Sequence, residues 1–287
     1  MEKGIIVKGI GGTYDVQTEA GLVACTLRGR LRLRDDRVLV GDRVEISREP
    51  GGSRGVVESI LPRTSELTRP AIANVDQAVV VTAVQNPAPN LLLLDRILVQ
   101  AELAGIDCIV VFNKGDLDPK GALELRAMYA KISYPTLITS AQEKRGLEEL
   151  RAMLQGRITT LAGPSGAGKS SLLNALEPGL NLETANVSAK TQRGRHTTRS
   201  VELLSVGGGL VADSPGFSRL NIEPEQQRDL QFAFPEFCDY LESCRFRGCL
   251  HHQEPGCMVK DAVQRGEILE RRYEHYLIML GEAAPRY

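Results

Sequence analysis

Over residues 4–60 apolar and polar positions alternate in short runs, GIIVKGI, TYDVQT, LVACTLRG, DRVEI and RGVVESI, broken by turns such as Gly11-Gly12 and Glu49-Pro50-Gly51-Gly52. Alternation marks half-buried strands, and five short strands in about sixty residues predict a small barrel. The stretch LPRTSELTRPAIAN (61–74) turns polar and proline-bearing and reads as a joint. From residue 75 the runs become continuously apolar and alternate with amphipathic stretches: QAVVVTAV, LLLLDRILVQAELA, CIVVF, GALELRAMYAK, TLITS, GLEELRAMLQ and ITTLAG. Strands buried on both faces lose their alternation, so this order predicts a mostly parallel, doubly wound α/β sheet, closed near residue 222 by SVELLSV and GLVAD. A Cys/His cluster follows, and then one expected helix from Lys260 to Leu280. The expected domains are 1–66, 67–222 and 223–287.

Composition narrows the class. The 287 residues are 42% hydrophobic and 25% charged with a net charge of −1, which excludes collagen-like, low-complexity and polybasic DNA-coating chains. No apolar run approaches the ~20 residues that span a bilayer, and the first residues lack the apolar core of a secretory signal. A cytoplasmic protein without a membrane partner is expected. Cys238, Cys244, Cys249 and Cys257 crowd one short segment, which in a reducing compartment points to metal rather than disulfides.

Gly163-Pro164-Ser165-Gly166-Ala167-Gly168-Lys169-Ser170 fits G-x-x-x-x-G-K-[ST] between the strand ITTLAG and a helix that continues through Ser171. Glycines let successive backbone N–H groups surround phosphate oxygens, Lys169 neutralises β/γ charge and the Ser170 hydroxyl suits Mg²⁺. Asn113-Lys114-Gly115-Asp116 follows the buried run CIVVF, so Asp116 is expected at the carboxyl end of a strand, where open α/β sheets bind ligands. A carboxylate there can accept both N1–H and the exocyclic N2–H₂ of guanine. Ser140-Ala141, after TLIT, supplies a backbone loop suited to guanine O6.

Asp213-Ser214-Pro215-Gly216 ends the run GLVAD; its carboxylate suits Mg²⁺ through water, and the Gly216 amide is placed to sense a γ-phosphate. The loop Lys190–Thr198 (KTQRGRHTT) offers Thr197, and second Thr198, to complete the Mg²⁺ shell. Phe217 stands where many GTPases carry a water-orienting Gln, so slow intrinsic hydrolysis is expected, with His196 as the local catalytic candidate beside Thr197 and Lys169. The guanine motifs precede the phosphate loop, the reverse of the ordinary order, which makes the domain circularly permuted.

Cys244-x4-Cys249-x-His251-x5-Cys257 offers three thiolates and an imidazole, the donor set of a closed structural Zn²⁺ site; Cys238 and His252 are read as bystanders. Arg28, Arg30, Arg32, Arg34 and Arg37, with Lys190, Arg193, Arg195 and Arg199, form basic stretches suited to an RNA backbone, although Arg/Leu alternation at 30–34 equally suits a half-exposed strand.

RPAIANVDQ, NKGD, GPSGAGKSSLLN, RGRHTT, DSPGF and CRFRGCLHHQEPGC, in that order over essentially the whole chain, resemble the ribosome small-subunit-dependent GTPase A family (RsgA/YjeQ) of bacteria. The resemblance implies an N-terminal OB-fold, a permuted GTPase domain and a mainly helical zinc-binding domain. It further implies a GTP hydrolase that cycles between GTP and GDP with Mg²⁺. The small ribosomal subunit and its rRNA would be the partners, stimulating hydrolysis during late subunit maturation, and a monomer is expected. Arg199 follows Thr198 where many relatives carry a third threonine, so the Mg²⁺ threonine stays open between Thr197 and Thr198. Two other readings stand: a P-loop nucleotide kinase, and an RNA-binding assembly module in which GTP is mainly a structural ligand.

Overall fold

In the computed structural model the described residues are 1–32, 37–48, 54–68, 70–183, 201–215 and 227–283. The expectations placed on Arg34, on the loop 190–199 with His196, Thr197 and Thr198, and on Gly216 and Phe217 lie outside them.

The chain begins with β1 (Glu2–Ile10), β2 (Thr13–Thr18), β3 (Gly21–Leu27), the helical turn α1 (Gly29–Arg32), β4 (Arg43–Arg48) and β5 (Arg54–Ile60). Short strands β6 (Glu66–Thr68) and β7 (Ala71–Ala73) follow. Next come β8 (Gln77–Ala83), α2 (Leu91–Leu103), β9 (Asp107–Asn113), α3 (Pro119–Ala130) and β10 (Thr136–Ile138). Then follow α4 (Leu147–Leu154), β11 (Ile158–Ala162), α5 (Lys169–Leu176), β12 (Leu203–Val206) and β13 (Gly209–Pro215). Helices α6 (Cys238–Leu241), α7 (Met258–Gln264) and α8 (Glu270–Glu282) close the chain. A six-stranded sheet takes the order β10-β9-β8-β11-β13-β12. It is parallel at β10/β9 and β11/β13 and antiparallel where β12 pairs with β13 at the edge. β8 and β11 are buried along their whole length, which is why they carry no alternation.

The chain divides into two compact units. The first (1–78, 147–161 and 169–218) contains a closed barrel of order β1-β2-β3-β5-β4. Its β3/β5 pair is parallel and its other pairs antiparallel, a five-stranded OB-type barrel. Cross-strand register stacks Ile6 on Val16 and Val16 on Val23, and with Val44, Ile46 and Val57 these fill the interior. Residues 29–32 form a helical turn rather than a strand, because Leu31 folds into that interior. Arg28 pairs with Glu58, so one member of the basic stretch is partly neutralised.

The stretch 61–74 is more ordered than its composition suggests. β6 and β7 pair as a hairpin. Buried Asn74 accepts from the Thr64 N–H at 2.9 Å and donates to the Gly41 carbonyl at 2.9 Å. Buried Asp42 takes the Arg63 guanidinium at 2.7 and 3.0 Å.

The second unit (79–146, 162–168 and 219–287) joins the β8–β10 region to the C-terminal helices. Its C-terminal core groups Leu230, Phe234, Phe237, Tyr276 and Met279 with Val99 of α2. The single helix expected over Lys260–Leu280 is two. α7 stops at Arg265, Gly266 adopts φ 74°, and the Glu267 N–H bonds back to the Ala262 carbonyl before α8 starts. That reversal lets Val259 and Ala262 on one helix and Tyr276 and Met279 on the other face one core.

Beside this core lies a buried charge network. Asp95 of α2 accepts from the Tyr129 hydroxyl at 2.8 Å and pairs with His275. Arg272 of α8, 2% exposed, lies 2.9 Å from Asp95, off-axis for a hydrogen bond, and donates to Glu236 at 2.7 and 3.1 Å. Its guanidinium also covers the Phe234 ring at 4.5 Å. Burial alone would raise the Asp95 pKa, but Arg272, His275 and Tyr129 hold it below its ordinary value. Asp95→Ala would leave Arg272 buried with half of its compensation, and a loss of about 3–5 kcal/mol is expected in denaturant unfolding. In the wild type this contribution is present above the ordinary aspartate pKa of about 3.9 and is lost as pH falls through the depressed folded value. An unchanged unfolding midpoint in the variant would contradict the assignment.

Candidate nucleotide site and metal centre

β9 ends at Asn113, a side chain 1% exposed. Its amide donates to the Ala167 carbonyl in the glycine loop at 2.9 Å, and its Oδ1 accepts from the Thr139 hydroxyl at 3.1 Å. Its own carbonyl accepts from the Val84 N–H at 2.9 Å. One residue therefore ties together the end of β9, the end of β10 and the loop 163–168.

The next residues make a tight turn into α3. Lys114 takes φ 60° and reaches the Asn86 carbonyl, while the Gly115 N–H donates to the Thr139 carbonyl at 3.0 Å. Asp118 caps α3 by accepting from the Gly121 N–H. Asp116 is thus left half-buried in the turn, and among the described residues its carboxylate has no hydrogen bond or ion pair. After β10, Ser140 is fully buried; it exchanges backbone bonds with Arg145, and its hydroxyl accepts from the Glu143 N–H. Ala141 is half-buried in the same turn.

The loop from β11 to α5 carries its glycines where the backbone demands them. Gly163 has φ 127°, and a Cβ there would collide with the Val81 carbonyl oxygen. Gly168 has φ 92°, and a Cβ there would collide with the Asn113 amide. Gly166 is also left-handed at φ 78°, Ala167 is buried and its N–H bonds to the Pro164 carbonyl, and Ser165 is exposed. Lys169 and Ser170 open α5. Burial lowers the Lys169 pKa, so its ammonium is held in an environment that favours a neighbouring anion. In β13 the step from Ala212 to Pro215 faces the single step from Thr160 to Leu161 on β11. Asp213 and Ser214 therefore sit in a backbone bulge where β11 nears its end.

The four predicted metal donors come together: Cys244, Cys249, His251 and Cys257 have donor atoms all within 4.8 Å of one another. His251 Nδ1 lies 3.6 Å from Cys244 Sγ and 3.3 Å from Cys257 Sγ. The Tyr273 hydroxyl donates to the His251 carbonyl and the Tyr276 hydroxyl to the Leu250 carbonyl, so α8 holds the loop. Burial would raise the Glu254 pKa, but backbone N–H groups of Leu250 and His252 donate to the carboxylate and keep it low. Burial pushes the Cys249 thiol up to about 12 and raises Cys257 as well. Thiols so placed ionise when a dication shares the site, so the donor set fits a metal ion. Cys238 is exposed and stands outside the cluster.

Thr139, Asn86, Glu254 and Gln231, whose Oε1 lies 2.9 Å from His251 Nε2, were not legible in the sequence. Thr139 could have been suspected as the neighbour of Ser140; the others carry no local signal.

A phosphate-loop fold whose NKGD turn precedes the loop and is tied to it defines a circularly permuted GTPase. Family models agree with that class: the RsgA N-terminal domain matches residues 3–57 and the RsgA GTPase matches residues 60–223. The chain is 47% identical over 285 residues to the small ribosomal subunit biogenesis GTPase RsgA of Moorella thermoacetica, covering 99% of this chain and 98% of that one. It is 46% identical to the protein of that name from Shouchella clausii over 98% of this chain and 97% of that one. The crystal structure of YjeQ from Thermotoga maritima superposes with a TM-score of 0.88 at 41% identity, covering 100% and 99% of the two chains. YloQ, a circularly permuted GTPase, superposes with a TM-score of 0.84 at 38% identity over 100% and 97%. The chain belongs to the RsgA GTPase family and is a GTP hydrolase.

Asn113→Ala would strip partners from the buried Ala167 carbonyl and the Thr139 hydroxyl. Equilibrium titration should show GTP and GDP both binding more weakly, by about 1–3 kcal/mol. Unchanged affinity for both nucleotides would contradict the tie.

Proposed function

We propose that this chain acts in biogenesis of the small ribosomal subunit, and that the subunit stimulates its GTP hydrolysis late in maturation. The Asn113 tie carries the reading, because it makes a guanine-type acceptor turn and a phosphate loop one piece. The full-length match to proteins named for that process supports it. The working division is a barrel over 1–66 that contacts rRNA, a GTPase domain over 67–222 and a zinc-binding domain over 223–287.

In this reading Asp116 accepts the N1–H and N2–H₂ of guanine, with Lys114 and Gly115 shaping the turn and Ser140 and Ala141 beside O6. Backbone N–H groups of residues 163–171 surround the phosphates, whose charge stabilises the Lys169 ammonium that burial alone disfavours. Ser170, Asp213 and Thr197 are the candidate holders of Mg²⁺, which when bound neutralises β/γ-phosphate charge. Phe217 has no group to orient water, so His196 and a bound subunit are assigned that task. The Cys₃His cluster fits zinc, which as a structural ion supplies folding energy to a small module. Among the described residues no helix is long and apolar enough to cross a membrane. We read the protein as a cytoplasmic monomer.

GTP turnover with and without purified small subunits tests the reading. Subunits should raise the rate, with roughly 10³–10⁵-fold as the ceiling for a GTPase site completed in trans. Rising salt should weaken the stimulation, because rRNA contacts are made to phosphates. Fast turnover indifferent to subunits would remove the ribosome from the account, and phosphate transfer to a nucleotide acceptor would favour a kinase. Metal analysis should find one zinc per chain, lowered by Cys249→Ser; protein prepared without chelator and free of zinc would contradict the cluster assignment.

A further inference from the structure

Gln231 sits in a short helical turn, Leu230–Ala233, twenty residues before His251 in the chain. Its side chain spans two partners. Nε2 lies 2.9 Å from the Arg228 carbonyl oxygen, and Oε1 lies 2.9 Å from His251 Nε2. A carbonyl can only accept, so the Gln231 amide nitrogen must face Arg228 and its oxygen must face the imidazole. An amide oxygen can only accept in turn, so His251 Nε2 carries the hydrogen. The ring's other nitrogen, Nδ1, is then the one with a free lone pair, and it is Nδ1 that faces the sulfurs of Cys244 and Cys257.

We infer that Gln231 is a positioning residue of the metal centre, fixing His251 in the Nε2–H tautomer and presenting Nδ1 to the ion. This rests on the reading of the Cys₃His cluster as a zinc site. The backbone assists: His251 takes φ 53°, and its carbonyl is held by the Tyr273 hydroxyl at 2.7 Å, so ring and main chain each have a fixed partner. The Phe237 ring stands edge-on to the imidazole at 6.1 Å and adds no polar contact. Partners of this kind raise the basicity of a ligating imidazole and restrict its rotation.

The decisive readout is imidazole ¹⁵N NMR of the zinc-loaded full chain. The expected spectrum shows His251 protonated at Nε2 and coordinated through Nδ1; coordination through Nε2 would overturn the inference without any variant. Zinc competition against a chromophoric chelator then compares wild type with Gln231→Leu, which cannot accept, and Gln231→Glu, which can. Gln231→Leu should weaken zinc binding about 10–100-fold, and Gln231→Glu should stay within a few-fold of wild type. Equal affinity in Gln231→Leu and wild type overturns the inference while leaving the zinc site standing. No stoichiometric zinc in the wild type instead brings down the reading beneath it.

Discussion

The arrangement depends on one buried amide. The Asn113 side chain, 1% exposed, bonds the Ala167 carbonyl and the Thr139 hydroxyl, and its backbone carbonyl accepts from the Val84 N–H, so each bond runs to a different segment. These segments are the phosphate loop, the turn after β10 and the end of β8. Permutation moves the chain order of the motifs but not this meeting point, because strand ends converge at the same edge of a parallel sheet whichever strand comes first. Gly168 follows from the same constraint, since any side chain there would strike the Asn113 amide.

Much of this was legible in the sequence, for identifiable reasons. Strands buried on both faces, such as VVVTA and CIVVF, must be apolar throughout, and the barrel strands, with one face inward, must alternate. The phosphate loop and NKGD declare themselves because backbone geometry and base chemistry admit few residue types. The four metal donors were found for the same reason, their spacing letting one loop bring thiols and imidazole together. What escaped was set by tertiary packing. One helix became two at Gly266, although the apolar positions kept a helical spacing across the break. The polar stretch 61–74 became a hairpin held by Asn74 and Arg63, whose partners Gly41 and Asp42 lie on another segment. Gln231 was invisible because its amide means nothing until His251 stands beside it.

The C-terminal module is joined to α2 by charge rather than by apolar packing alone. Asp95 on α2 meets Arg272 and His275 of α8, while the chain just before α2 supplies the Asn86 carbonyl that takes Lys114. The helix that receives the C-terminal module therefore begins a few residues after Asn86, the partner of Lys114 in the NKGD turn. Such a network contributes less to net stability than its contacts suggest, because desolvation opposes it, yet removing one partner is severe. Its effect is geometric: one arrangement of α8 on α2 satisfies Arg272, Asp95 and Glu236 together.

In the proposed function the turn anchored by Asn113 presents Asp116 as a double acceptor to guanine. Xanthine replaces the exocyclic amine of guanine with a carbonyl, so an asparagine at 116 would accept from N1–H and donate to that carbonyl. The direct measurement is binding of GTP and xanthosine triphosphate to wild type and Asp116→Asn in parallel titrations. The account predicts that the variant loses GTP affinity and gains xanthosine triphosphate affinity, each by an order of magnitude or more, at about 1–3 kcal/mol per mismatched polar group. A variant that still prefers GTP as strongly as the wild type would contradict it.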